Sequence, residues 1–283
     1  ACLSRASLST HRAVWSSAAA CLVSTNQAKS MLCMANPRVS KVRFERDDTV
    51  ILRIMKEHLA AFPGQGFMTM FRQALSGKVC GLVRAQRLYA GAGLQLYRRN
   101  AILRRKANRK SAKGTHRLAV PARANITWSI DFMHFKMANG APARTLNVID
   151  DFSRECLMIK GGFGTSAALV AQQLADLIAK RGAPKTIRCD NGPEFTGFAF
   201  LNWAEQAGIT VEHIAPYRPD QNGYVESFNR IVRSQMFRWN RFKSLKHFDK
   251  VAEEFRYQYN HVRPHKSLGW ATPAAYAAAH SRI

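Results

Sequence analysis

Ile126-Thr127-Trp128-Ser129-Ile130-Asp131-Phe132 alternates strictly, with Ile126, Trp128, Ile130 and Phe132 apolar and Thr127, Ser129 and Asp131 polar. A period of two marks a half-buried strand, so Asp131 is expected to point away from the apolar row. Toward the carboxyl terminus, two more strands are expected around Leu146 to Ile149 and Cys156 to Ile159, joined by the turn Asp150-Asp151-Phe152-Ser153. Thr165 is expected to cap a helix carrying Val170, Leu174, Leu177 and Ile178 on one face, which Gly182 and Pro184 end. A strand from Thr186 to Cys189 then runs into Asp190-Asn191-Gly192-Pro193. A helix through Phe200 and Trp203 closes at Gly208, a strand spans Ile209 to Ile214, and a proline-containing loop leads to a helix containing Glu226. Three strands followed by alternating helix and strand predict an α/β layer fold with a mixed sheet.

In the helix containing Glu226, Val225, Phe228 and Val232 form the apolar stripe, while Asn222, Glu226, Asn229, Arg230 and Arg233 share another face. These polar residues read equally as contacts to a polyanion or as ordinary helix surface. Phe248, Val251, Phe255 and Tyr259 form a later stripe that reads as core packing. Upstream, Asp48 is expected to cap a helix bearing Ile51, Ile54, Met55 and Leu59, which Pro63-Gly64-Gln65-Gly66 ends. Phe67, Met70, Phe71, Ala74 and Leu75 repeat the pattern, and Val79 to Tyr89 makes a third helix with Arg84 and Arg87. Such a trio fits a helix-turn-helix unit or a plain bundle with solvated arginines, and spacing alone leaves both open.

Charge narrows the partner. The 283 residues carry a net charge of +25, with 43 basic and 18 acidic residues, which points to a polyanion and first to nucleic acid. Before Asn125 there are 23 basic and 4 acidic residues, and from there on 20 and 14, so the amino half suits phosphate neutralisation and the rest a folded enzyme core. Seven of the thirteen residues from Arg98 to Lys110 are basic: Arg98, Arg99, Arg104, Arg105, Lys106, Arg109 and Lys110. This run is expected to be a linker that tracks a DNA backbone without choosing sequence. No apolar run reaches the roughly 18 residues needed to cross a bilayer, and six cysteines without C-x-x-C spacing fit a reduced cytosol. The expected organisation is residues 1–40 unassigned, 41–97 helical and DNA-binding, 98–124 basic linker, 125–240 core and 241–283 helical tail.

The order Asp131, Asp190, Glu226, with 35 residues between the last two, resembles the DDE catalytic core of transposases and retroviral integrases, in particular the second-reading-frame transposase of bacterial insertion sequences. Trp128-Ser129-Ile130-Asp131-Phe132 is similar to its first-aspartate strand, Val148 to Arg154 to its hairpin, and Asp190-Asn191-Gly192-Pro193-Glu194-Phe195 to its second-aspartate turn. Pro219 to Asn229 is similar to the third motif, and Tyr259 to Gly269 with Thr272-Pro273 to its tail. The resemblance implies an RNase H-like fold, preceded by a small helical DNA-binding region. It assigns Asp131, Asp190 and Glu226 to two Mg2+ ions, with Mn2+ as a substitute.

Hard carboxylate oxygens suit Mg2+, and two ions about 4 Å apart can activate an attacking oxygen and stabilise the leaving one during displacement at phosphorus. The resemblance implies that water frees a 3′-hydroxyl at an element end and that this hydroxyl attacks another phosphodiester. No ATP is needed, and no G-x-x-x-x-G-K loop is present. Asp150 and Asp151 are expected to form turn hydrogen bonds, Glu194 to support the site or lie on the surface, and Arg263 and His265 to anchor the tail or touch DNA. Implied partners are DNA, further copies of the chain and an upstream-frame protein, in the bacterial cytoplasm at the nucleoid. With no initiator Met, the chain reads as a truncated, processed or frame-fused product. The alternatives are a catalytically incomplete DNA-binding remnant or regulator of the same element, and an RNase H-type nuclease, which the tail and upstream helices do not favour.

Overall fold

The computed structural model describes residues 48–75, 80–95, 118, 120–215 and 219–280. The first 40 residues, the basic run from Arg98 to Lys110 and the expected helix start at Val79 lie outside them. Five strands form one sheet: β1 (Thr127–Lys136), β2 (Pro142–Asp150), β3 (Cys156–Gly162), β4 (Thr186–Cys189) and β5 (Thr210–His213), in the order β3-β2-β1-β4-β5. β1, β2 and β3 are antiparallel, whereas β4 runs parallel to β1 and β5 parallel to β4, so the predicted mixed sheet is present. The helices are α1 (Asp48–Ala61), α2 (Phe67–Met70), α3 (Leu82–Gly91), α4 (Ala167–Arg181), α5 (Pro193–Thr196), α6 (Phe198–Gln206), α7 (Gly223–Val232), α8 (Leu245–Tyr257) and α9 (Pro273–His280). Among the described residues no helix is long and apolar enough to cross a membrane.

Each face of the sheet has its own core. Trp128 and Ile130 pack with Val148, Ile187, Val170, Leu174 and Phe200 under α4 and α6. Met133 and Phe135 pack on the other face with Phe228, Val232 and Phe248 from α7 and α8. The half-buried strand is therefore corrected: Thr127 and Ser129 are buried too, because α7 covers the polar row of β1. Period two separates the faces of a strand but does not say whether a polar face meets water or a polar helix. The cap of α4 also moves by one residue. The Ser166 hydroxyl accepts from the Leu169 amide at 3.3 Å, while Thr165 accepts from Arg144. Gly182, at φ +87°, ends that helix in a backbone conformation that suits glycine.

Strand β3 is a sheet edge, and its outward backbone groups find a side-chain partner. The Cys156 amide donates to Asn260 Oδ1 at 2.8 Å, and Asn260 Nδ2 donates to the Cys156 carbonyl at 2.9 Å, so one carboxamide imitates a strand. Gly161 lets α8 approach the same edge, since a Cβ there would sit 2.6 Å from the Phe248 ring. Arg263 and His265 anchor the tail. Arg263 Nη1 donates to Gln235 Oε1 at 2.9 Å, and the His265 ring lies 4.6 Å from that of Tyr259. Burial, followed by the nearby Arg263 charge, pushes the His265 imidazole down to about 3.

The amino-terminal helices share a core of Ile51, Met55, Met70, Phe71, Leu75, Ala85 and Tyr89, as their spacing predicts. Asp48 lies in the first turn of α1, and its carboxylate accepts from Arg84 Nε at 2.8 Å, tying α1 to α3. The unit rests on the tail through Gln73, which donates to the Val262 carbonyl at 2.9 Å, and through the Arg72 guanidinium over the Trp270 ring.

Candidate active site

Asp131 lies within β1 on the face covered by α7. Because β1 and β4 pair in parallel with Ser129 opposite Arg188, the same register carries Asp190, one residue past β4, beside Asp131. The turn after Asp190 is held by its own side chain, whose Oδ1 accepts from the Gly192 amide at 3.0 Å. Gly192 is required for space: a Cβ there would lie 3.0 Å from Asp190 Oδ1 and 3.1 Å from Glu194 Cδ. Glu194 is thus beside this turn, nearly buried, and paired with Arg144 at 3.2 Å. Asn191 donates to the Ile214 carbonyl at 2.8 Å and ties the turn to the end of β5.

Glu226 sits in the first turn of α7 with its side chain exposed. Asn222, just before that helix, donates to the Ile130 carbonyl at 3.3 Å and so pins the start of α7 against β1, next to Asp131. Asp131 feels both of the other acids. Burial, then the Asp190 charge and, more weakly, that of Glu226, raise the Asp131 carboxyl to about 7 against the opposing pull of the Phe132 amide and Arg233. Among the described residues no three histidine, cysteine, aspartate or glutamate side chains lie close enough together to hold one ion as they stand.

Three expected DNA contacts, Asn222, Asn229 and Arg84, are corrected. Asn222 and Asn229 are buried, and Asn229 is spent within the protein: its Nδ2 donates to Asp131 Oδ2 at 2.6 Å and its Oδ1 accepts from Asn147 Nδ2 at 2.7 Å. The reason lies in the helical wheel, where Asn222, Val225, Asn229 and Val232 recur at intervals of three and four and face the sheet together. Arg230 and Arg233 are exposed. Arg84 is likewise committed to Asp48, whereas Arg87 is exposed on α3. Asp150 makes the expected turn bonds, accepting from the amides of Phe152 and Ser153 at 3.0 and 2.8 Å. Asp151 does not; it is fully buried and paired with Arg188 at 2.7 Å, and burial pushes its carboxyl up to about 6. Sequence reading missed Thr145, Asn147 and Asn260. The only signal for Asn147 was its register, directly opposite Asp131 on β2.

Comparison with known proteins shows the family of the fold. A family described as "Integrase core domain" matches residues 121–219, and a second of the same description matches residues 207–273. A 31.7 kDa protein of insertion element IS407 from Burkholderia multivorans is 38% identical over 70% of this chain and 69% of its own length. This chain belongs to the integrase-core transposase family of insertion elements. A 39.2 kDa protein of element IS476 from Xanthomonas euvesicatoria is 40% identical over 68% of this chain, which spans about half (54%) of that relative. Transposase InsD of IS2 from Escherichia coli is 27% identical over 81% of this chain and 79% of its own length. Among solved structures, a chain of the simian T-cell lymphotropic virus intasome, in complex with PP2A regulatory subunit B56 gamma, aligns with a TM-score of 0.50. It is 19% identical and covers 79% of this chain and 73% of that chain, a likeness of fold. The integrase-core family fold thus spans both sheet faces and the tail that anchors β3.

Proposed function

We propose that this chain is a DNA transposase that cuts the ends of an insertion element and joins the freed 3′-hydroxyl to a phosphodiester of target DNA, with Asp131, Asp190 and Glu226 as its catalytic and metal-binding residues. The observation that carries the reading is the geometry: the β1–β4 register sets Asp190 beside Asp131, and Asn222 pins the start of the Glu226 helix against β1 at Ile130. Mutually repelling carboxylates on adjoining elements are a hard-oxygen donor set suited to Mg2+. Asp131 and Asp190, held by β1 and β4, together with Glu226 at the start of α7, would hold it, with two ions per site and Mn2+ as a substitute. When bound, such ions supply Lewis-acid activation of the attacking oxygen and neutralise charge on the leaving one.

The protein's own groups do the positioning. Asn229 orients Asp131, the Gly192 amide orients Asp190, and Asn222 sets where α7 begins. Arg230 on α7 and Arg233 just after it, both exposed, would meet a phosphate backbone at the site. Farther out, Arg87 in the 41–97 region and the run Arg98, Arg99, Arg104, Arg105, Lys106, Arg109 and Lys110 would add affinity without sequence choice. Copies of the chain would assemble on two DNA ends, with an upstream-frame protein as a further partner, at the bacterial nucleoid.

Asp190→Asn tests the assignment. Joining of a pre-cut DNA end should fall by at least about a thousandfold, while affinity for the same DNA stays equal or rises, because a negative charge has left the phosphate site. Joining at the unmodified rate would remove Asp190 from the chemistry.

A further inference from the structure

The geometry points to Asn147 as a positioning residue that acts through Asn229 to set the orientation of the Asp131 carboxylate, with the Thr145 hydroxyl as the anchor of the chain. This rests on the assignment of Asp131 to the metal site. Three hydrogen bonds run in one direction: Thr145 Oγ1 donates to Asn147 Oδ1 at 3.2 Å, Asn147 Nδ2 to Asn229 Oδ1 at 2.7 Å, and Asn229 Nδ2 to Asp131 Oδ2 at 2.6 Å. Thr145 and Asn147 are completely buried on β2, and Asn229 is nearly so.

The direction follows from what each group can do. In its ionised form, the one that a cation requires, the Asp131 carboxylate only accepts, so Asn229 must turn its NH2 toward Asp131 and its carbonyl toward Asn147. Asn147 must then offer its own NH2, which leaves its carbonyl facing Thr145, whose hydroxyl rotates to donate. A carboxamide alone is indifferent to a half-turn about its last bond. Asn147 removes that freedom, because a flipped Asn229 would set two NH2 groups against each other on one side and two oxygens on the other. Buried polar groups left so mismatched are costly, so one orientation prevails. Asn147 can reach this place because the β1–β2 register sets it directly opposite Asp131, on the face that α7 covers. The carboxylate is thereby held from the sheet side, before any cation or DNA arrives.

The test is a double-mutant cycle on Mn2+ affinity, measured by calorimetry on the whole chain without DNA. Asn147→Leu and Asn229→Leu should each weaken Mn2+ binding by about tenfold or more, as loss of a group that orients a ligand does, and the double variant should be no worse than the weaker single one. In joining assays Asn147→Leu should lower kcat while leaving KM for DNA within about twofold. Thr145→Val, nearly isosteric, repeats the test with less risk to folding, and should weaken Mn2+ binding by a smaller factor that vanishes in the Asn229→Leu background. Additive losses, or a lowered melting temperature with unchanged Mn2+ affinity, would overturn the inference and leave Asn147 a structural residue. Wild-type protein that binds no Mn2+ would instead overturn the metal-site assignment, and this inference with it.

Discussion

Asp131 is held at a cost to stability. Its carboxyl, raised to about 7 by burial and by Asp190 and Glu226, binds a proton more tightly in the folded chain than in the unfolded one, where an aspartate titrates near about 4. Between those values the folded state carries more protons, so stability is highest below the unfolded value, falls as pH rises toward 7 and levels off above it. Asp131→Asn should therefore stabilise the metal-free protein by up to about 4 kcal/mol at pH 8, with the difference gone near pH 4, as read by thermal melting across pH. A destabilised variant at pH 8 would show that Asp131 is instead held by favourable contacts. At this scale the acids were legible from their order and flanking motifs, but their supports were not. Asn229 sits on the boundary between two helix faces, and Asn147 matters only through a cross-strand register that no local pattern encodes.

Among the elements, long periodic segments were readable and polar surfaces were misread. The alternation in β1 and the stripes of α4 and α7 reflect burial, which composition records directly. Whether the polar row of β1 met water or α7 depended on a helix some ninety residues away, as the contact from Asn222 to the Ile130 carbonyl shows. The same holds for Asn260, whose carboxamide closes the edge strand at Cys156 from 104 residues along the chain. Asn260→Ala leaves a buried amide and a carbonyl of Cys156 without that partner, and should lower unfolding free energy by about 2 to 4 kcal/mol in denaturant titrations, with the metal site intact in the folded fraction. A change below about 0.5 kcal/mol would mean that water replaces Asn260 freely.

For the whole molecule, the excess of charge is the property that sequence alone expresses most plainly, and it bears on affinity more than on fold. The basic residues from Arg98 to Lys110 lie just ahead of an enzyme core with a nearly balanced charge. Replacing all seven with Gln should weaken binding to every DNA sequence alike and flatten the dependence of log affinity on log salt by several units, since each neutralised phosphate contributes about 0.9. An unchanged slope would make the run a passive connector. The helical unit docked on the tail through Gln73 and Arg72 leaves Arg87 exposed, so its share of the charge is open to the same titration.

The central claim, that three carboxylates on β1, after β4 and on α7 make one strand-transfer site, is tested most directly by strand joining. Purified chain would be supplied with a pre-cut oligonucleotide end of its element and Mg2+, with Glu226→Gln run beside it. The account expects joined product from the wild type alone, with both proteins binding the DNA equally. Joining by both, or binding without joining by both, would contradict it.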